Sequence, residues 1–220
     1  MKKFAIILAG CGVYDGSEIH EAVMTMLAID KLGAEYTIFA PDKPQHHVVN
    51  HLTGEAMNES RNVLVESARI ARGNIQSLTQ FNADDFDALV IPGGFGAAKN
   101  LSDYAFKGAQ LTIDKEVENA VSAMHKRRKP IGALCIAPVI LAKIFKNSTV
   151  TIGNDEGTAQ HIEAVGAKHQ TTKTGEVAID RENLLFSTPC YMLNASINDI
   201  AVSAENLVRA ICQCADVPMC

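Results

Sequence analysis

The sequence predicts an α/β protein with a mostly parallel sheet that helices cover on both faces. Short apolar runs typical of buried strands alternate with longer segments of helical periodicity, and glycine or proline separates many of them. A repeated β-α-β order favours parallel strands, because each helix carries the chain back across a face of the sheet. The 220 residues show no linker, so we expect residues 1–220 to form a single domain.

The predicted elements follow this order along the chain. In the first half, strands are predicted at residues 3–9, 35–40 and 87–91, and helices at residues 17–32, 60–71 and 114–128. The polar segment 42–59, with His46, His47 and His51, lacks periodicity and is predicted to be a surface excursion. In the second half, we expect a strand at Ile131, a helix to about Phe145, a short strand near Val150, a helix near 158–165, a β pair near 176–180 and 184–187, and a closing helix from about 194 to 214.

Residues 130–138, with the sequence PIGALCIAP, place Cys135 between a predicted strand and a predicted helix. A side chain at such a turn projects from the carboxyl edge of the sheet, beside helix-terminal N–H groups that lower a thiol pKa. We therefore predict a nucleophile elbow at Cys135. A small buried core residue is the alternative, because free cysteines often have that role.

Two further loops should meet Cys135 at the same edge of the sheet. The glycine-rich loop 92–100 lacks the spacing of a P-loop or a dinucleotide site. Its Gly93 and Gly94 can instead bring backbone N–H groups close to a reacting atom, and with the N–H of Ile136 they would form an oxyanion hole. A plain turn would explain the two glycines equally well.

The loop 10–18 and the helix after it contribute acidic residues. Asp15 or Ser17 can cap that helix, and Glu18 suits its first turn. Glu21 shares a helix sector with Met24 and Thr25, so its carboxyl group should face the sheet. A carboxyl group near a thiol can remain protonated or move a proton.

Composition excludes several classes of protein. A net charge of −5 with no basic run argues against nucleic acid, and no apolar run approaches the roughly 18 residues of a membrane span. The six cysteines lack zinc-finger spacing and indicate reduced thiols, so we expect a cytoplasmic protein with no metal. Solvated loop histidines explain His46, His47 and His51 better than a metal site.

Four motifs occur in order along essentially the whole chain: GCGVYDGSEIHEA, IPGGFGAAKNLS, CIAP and TPCYML. Together they resemble the class I glutamine amidotransferase-like superfamily, in the branch of the PfpI protease and the parkinsonism-associated deglycase. Within that branch the chain resembles the ElbB group, which comprises glyoxalases also called isoprenoid biosynthesis proteins with an amidotransferase-like domain.

The resemblance implies a flavodoxin-like sheet, Cys135 as nucleophile, Glu21 as its carboxylate partner and a homodimer. It also implies a glyoxalase of the glutathione-independent kind, which converts glyoxal to glycolate without a cofactor. The Cys135 thiolate would form a hemithioacetal with the aldehyde, a base would move a proton between the two carbons, and water would release the hydroxy acid. Deglycase activity is a related expectation.

The chain departs from this branch in its histidines. Ile136 follows Cys135, where the protease branch has histidine. The catalytic base can therefore be either Glu21 or a histidine elsewhere in the chain. His20 is the better candidate, and His161 is expected to face solvent. Asp15, Asn100 and Cys190 are expected at the pocket. The alternatives are a non-catalytic protein that binds a metabolite or senses oxidation through Cys135, and an amidase or glutaminase, which the missing histidine disfavours.

Overall fold

A computed structural model describes residues 2–215 of the chain. The strands are β1 (Lys3–Ile7), β2 (Glu35–Ala40), β3 (Gln76–Ser77), β4 (Ala88–Ile91), β5 (Ile131–Leu134), β6 (Thr149–Val150), β7 (Lys168–His169), β8 (Ala178–Asp180) and β9 (Leu185–Thr188). The helices are α1 (Ile19–Lys31), α2 (Val63–Ile70), α3 (Phe95–Lys99), α4 (Tyr104–Lys107), α5 (Lys115–Lys126), α6 (Pro138–Ile144), α7 (Glu156–Ala164) and α8 (Ile197–Ala215). The prediction that the six cysteines are reduced thiols falls partly outside this range, because Cys220 is not among the described residues.

The central sheet has seven strands in the order β3-β2-β1-β4-β5-β9-β8. Its neighbouring strands run parallel except for β8 and β9, which pair antiparallel. This arrangement confirms the predicted α/β class with a mostly parallel, flavodoxin-like sheet. The predicted strand near Val150 is also present, but it pairs with β7 outside the central sheet.

Helices cover both faces of this sheet, because alternate residues of each strand point to opposite sides. Phe4 and Ile6 of β1 pack in the cluster that α1 and α8 complete, whereas Ala5 and Ile7 pack in the cluster of α5, α6 and α7. The two apolar cores explain why the inner strands read as continuous apolar runs in the sequence. Among residues 2–215, no helix is both long and apolar enough to cross a membrane.

The fold differs from the predicted elements in two places that matter for the site. Residues 92–100 are not a loop throughout, since α3 begins at Phe95 directly after Gly94. The N-cap of α1 is Glu18, whose side chain accepts a hydrogen bond from the N–H of Glu21. Ser17 does not cap this helix, because its hydroxyl accepts from the N–H of Ala9 at 2.8 Å instead.

Candidate active site

Cys135 occupies the turn that links β5 to α6. Its φ of 59° lies in the left-handed region, which costs a residue with a Cβ about 1–2 kcal/mol. The N–H of Cys135 donates to the carbonyl of Thr188 at 3.0 Å and thereby ties the turn to the end of β9. Strain at a single residue between strand and helix is the geometry of the predicted nucleophile elbow.

Glu21 projects from the first turn of α1 into the interior and is fully buried. Its carboxyl group accepts a hydrogen bond from the N–H of Gly93 at 2.9 Å and one from the N–H of Tyr191 at 3.3 Å. Those two N–H groups follow β4 and β9, so Glu21 bridges the ends of two strands. Its orientation toward the sheet is the one expected from the helix pattern.

Gly93 sits between the Cys135 and Glu21 side chains. A Cβ at this position would lie 2.4 Å from the Cβ of Cys135, 3.0 Å from its Sγ and 2.6 Å from Oε2 of Glu21. The distances of 2.4 and 2.6 Å are shorter than real Cβ contacts, so residue 93 has no space for a side chain. Gly93 therefore allows the thiol and the carboxyl group to share one buried site.

Both ionisable groups of this site favour their neutral forms. The pKa of Glu21 is raised to about 8, because burial and then the nearby Glu18 carboxylate raise it by more than the hydrogen bonds from Tyr191, Cys135 and Gly93 lower it. Burial and then the charge of Glu21 raise the pKa of the Cys135 thiol well above its usual value. The expectation of a lowered thiol pKa is therefore wrong, because loss of hydration outweighs the N–H groups at the turn.

The backbone N–H groups of Gly94 and Ile136 lie near the Cys135 sulfur and oppose this rise in its pKa. Gly93 was expected to be a third donor, but its N–H is already donated to Glu21. Of the three expected donors, the N–H groups of Gly94 and Ile136 thus remain near the sulfur, whereas that of Gly93 is engaged by Glu21.

A cavity of about 450 Å³ opens beside the thiol. Cys135 is only 8% exposed, and it contributes to the wall of this cavity together with Glu18 and Gly94. The remainder of the wall comes from Val13, Phe95, Ala98, Tyr104, Ala105, Ile136, Asp155, Thr158, Tyr191 and Met192. Cys135 is thus buried without being sealed from ligands.

Asp15 and Asn100 lie outside the cavity wall and hold loops together. Oδ2 of Asp15 accepts from the N–H of Val49 at 2.7 Å. The amide of Asn100 donates to the carbonyls of Ala9 and Asp15 at 2.8 and 2.9 Å, and its oxygen accepts from the N–H of His46 at 2.9 Å. Both residues therefore attach the segment 42–59 to the loop 10–18, and the prediction that they belong to the pocket is wrong.

His20 and Cys190 stand behind the wall of the cavity. His20 is half-exposed, and its Nδ1 lies 2.9 Å from the hydroxyl of Tyr191, which does line the cavity. Cys190 is 1% exposed, adopts a φ of 45° and does not line the cavity. Burial and the negative charge of Glu21 raise the pKa of its thiol. Cys190 thus shapes the turn that presents Tyr191.

Two tyrosine–histidine pairs contribute to the site, and neither was predicted. The first joins Tyr191 to His20. The second joins the Tyr104 hydroxyl to Nδ1 of His161 at 3.0 Å. His161 is exposed, as predicted, and it also contacts the cavity wall through Tyr104. Tyr191 lies in the motif TPCYML, which was a signal for its loop, whereas nothing near Tyr104 in the sequence marks it.

Comparison with known proteins shows which family the sequence matches. The sequence model of the DJ-1/PfpI family matches residues 11–184. The chain is 45% identical to the ES1 protein homolog, mitochondrial, of Rattus norvegicus over 95% of this chain and 82% of that protein. It is 44% identical to the human glutamine amidotransferase-like class 1 domain-containing protein 3, mitochondrial, with the same coverage.

A solved structure supports the fold in detail. The isoprenoid biosynthesis protein with amidotransferase-like domain from Ehrlichia chaffeensis superposes with a TM-score of 0.92 and is 40% identical. The match covers 97% of this chain and 99% of that one.

The vertebrate relatives overturn one prediction. The rat, human and Danio rerio proteins are all mitochondrial by name, so the cytoplasmic location expected from the cysteines is wrong. Free thiols indicate a reducing compartment and cannot distinguish one such compartment from another.

Proposed function

The chain belongs to the DJ-1/PfpI family, and on that premise we propose that it is a cofactor-independent glyoxalase-like enzyme. It would convert an α-oxoaldehyde such as glyoxal to the corresponding hydroxy acid. One observation carries this proposal: a strained, cavity-lining Cys135 whose sulfur lies near two backbone N–H groups and beside the buried carboxyl group of Glu21. A nucleophile, an oxyanion site and a proton-carrying group are the parts that addition to an aldehyde requires.

The first chemical step starts from a neutral pair, since both pKa values are raised. The Sγ of Cys135 bonds to the aldehyde carbon, the carbonyl π bond opens, and the oxygen is held by the N–H groups of Gly94 and Ile136. The thiol proton ends on that oxygen, with Glu21 placed to pass it. The product is a hemithioacetal, and no charge remains in the buried site.

The second step moves a proton between the two carbons. A base removes the proton from the carbon that carries sulfur, and an enediolate forms, with the negative charge on the second oxygen. The proton returns to the neighbouring carbon, the hydroxyl proton of the first carbon passes to the second oxygen, and the thioester of the hydroxy acid results; water then releases the acid and the Cys135 thiol. Below about pH 8 Glu21 retains its own proton and is a poor base. We assign the base to the Tyr191–His20 pair, because Tyr191 lines the cavity and its hydroxyl lies 2.9 Å from Nδ1 of His20.

The test is conversion of glyoxal to glycolate by purified protein, compared with Cys135→Ser and Tyr191→Phe. Cys135→Ser should abolish turnover, because serine is a far weaker nucleophile than cysteine. Tyr191→Phe should lower kcat by about 10²–10⁴, the range for removal of a general acid–base group. Equal rates for wild type and Cys135→Ser would end the proposal.

A non-catalytic metabolite-binding protein is the second candidate, and the raised thiol pKa favours it, because a neutral thiol is a slow nucleophile. The same pKa weakens the redox-sensing form of this candidate, since oxidation follows thiolate content. An amidase would need a histidine beside the thiol, and His20 and His161 are bonded to tyrosines. A homodimer stays a prediction from the family resemblance, and its mass in solution tests it.

A further inference from the structure

The cavity beside Cys135 is much larger than glyoxal. Its volume of about 450 Å³ equals the space of about fifteen water molecules at roughly 30 Å³ each. Glyoxal is a two-carbon molecule, so it would leave most of that space to solvent. Pockets of this size in proteins hold ligands with a substantial apolar portion.

The wall away from the thiol is mainly apolar. Val13, Phe95, Ala98, Ala105 and Met192 supply its hydrocarbon surface. A ligand group placed against them would gain affinity by removing apolar surface from water.

The charges at the wall are negative. Glu18 and Asp155 both line the cavity, and no lysine, arginine or histidine does so among residues 2–215. Glu18 accepts from the N–H of Glu21, and the Asp155 pKa is lowered by hydrogen bonds from Thr158, so Asp155 is a carboxylate at neutral pH. An anionic ligand would meet these carboxylates with no cation to balance it.

The basic residue near the mouth is engaged elsewhere. Lys99 donates to the carbonyl of Tyr14 at 2.9 Å, and its ammonium lies 5.3 Å from the centre of the Phe95 ring. Its side chain is thus held outside the cavity wall.

We propose that the substrate of this site is an uncharged α-oxoaldehyde with a branched aliphatic or aromatic substituent, and that glyoxal is only its smallest acceptable analogue. The inference rests on the proposed function for the reaction, while the cavity and its charges define the ligand class. The aldehyde would lie at Cys135 and the substituent against the apolar wall.

The experiment compares three α-oxoaldehydes: glyoxal, 4-methyl-2-oxopentanal, which carries an isobutyl group, and 4,5-dioxopentanoate, which carries a carboxylate on a chain of similar length. We expect kcat/KM for the isobutyl compound to exceed the other two values by at least about tenfold, the effect of one added carbon in a fitted apolar pocket. If glyoxal or the anion is converted with a kcat/KM equal to that of the isobutyl compound, the inference is wrong. The glyoxalase proposal would still stand.

Variants locate the effect in the cavity. Ala105 is exposed and lines the wall, so Ala105→Leu fills the cavity without disturbing the core. It should reduce the preference for the isobutyl compound over glyoxal by about tenfold. Gln160→Leu adds the same side chain at an exposed position of α7 outside the wall and should leave the rates unchanged. An undiminished preference in Ala105→Leu would contradict the assigned wall.

A binding measurement separates the two proposals if no aldehyde is converted. The unreactive ketone 4-methylpentan-2-one and its anionic counterpart 4-oxopentanoate are titrated by ligand-observed NMR into wild type and Ala105→Leu. Tighter binding of the neutral ketone to wild type, lost in Ala105→Leu, would support the ligand class while the enzymatic proposal fails. Equal or preferred binding of the anion would refute the ligand class.

Discussion

The protein should become less stable as the pH rises from about 4.5 to 8. Replacing Glu21 with a residue that lacks the carboxyl group should abolish most of that loss of stability. In the folded protein burial raises the pKa of Glu21 from 4.5 to about 8. Between these values the folded protein holds the proton and the unfolded chain releases it, so a rise in pH favours unfolding. The contribution is fully present below pH 4.5 and is lost as the pH rises toward 8.

Linkage gives the size of this effect. Each pH unit inside the window changes the free energy of unfolding by about 1.4 kcal/mol for one titrating group. The contribution of Glu21 therefore falls by about 3 kcal/mol up to pH 7 and by about 5 kcal/mol across the whole window. These are large fractions of the stability of a typical domain.

The assay is urea unfolding of wild type and Glu21→Gln across that pH range. The difference in unfolding free energy, wild type minus variant, should decrease steadily as the pH rises and level off above about pH 8. Glu55→Gln, which removes an exposed carboxyl group, controls for the change in net charge. A difference between wild type and Glu21→Gln that stays constant with pH would show that Glu21 is not held protonated, and the neutral pair would be refuted.

Three further outcomes test other parts of the site. Alkylation of Cys135 by iodoacetamide should be at least about tenfold slower at neutral pH than that of a free thiol, since burial raises its pKa; a faster reaction would contradict the neutral thiol. Gly93→Ala should destabilise the protein by about 1–3 kcal/mol in urea unfolding, because its Cβ would overlap two side chains, whereas Gly157→Ala meets no close atom and should be harmless. We expect the Tyr104 hydroxyl, which is hydrogen-bonded to His161, to assist proton transfer. Tyr104→Phe should therefore lower kcat more than it raises KM, and an unchanged kcat would exclude this role of the hydroxyl.

The elements that sequence patterns predict well are those whose signals are local. Strand β2 has the predicted bounds, and the helix around Glu21 begins within two residues of its expected start, because apolar periodicity decides both. The helix α3 was missed because contacts from another loop stabilise it. The N–H of Gly96 donates to the carbonyl of Gly16 at 2.8 Å, and a Cβ on Gly96 would meet that same backbone at 2.5 Å.

The same distinction between local and long-range signals applies to the site residues. Cys135 and Glu21 were found because each stands out within its own element, at a strand-to-helix turn and on an apolar helix face. Tyr104 reaches the cavity from a four-residue helix, and Glu18 reaches the cavity wall from the N-cap of α1. Asn100 lies in a motif that suggested the pocket, yet its hydrogen bonds to two backbone carbonyls make it a support for loops.

The thiol pKa shows why local geometry is insufficient to predict reactivity. Two N–H groups do lower the pKa of Cys135, Ile136 from the predicted turn and Gly94 from the loop after β4, but burial and the adjacent carboxyl group act on the same sulfur and exceed them. A thiol that is neutral at rest reacts slowly with oxidants and alkylating agents, because the reacting form is the thiolate. An aldehyde differs from those reagents, since its own carbonyl oxygen can take the proton as the carbon–sulfur bond forms. The same environment that slows the reaction of Cys135 with oxidants and alkylating agents therefore still allows its addition to a bound carbonyl group.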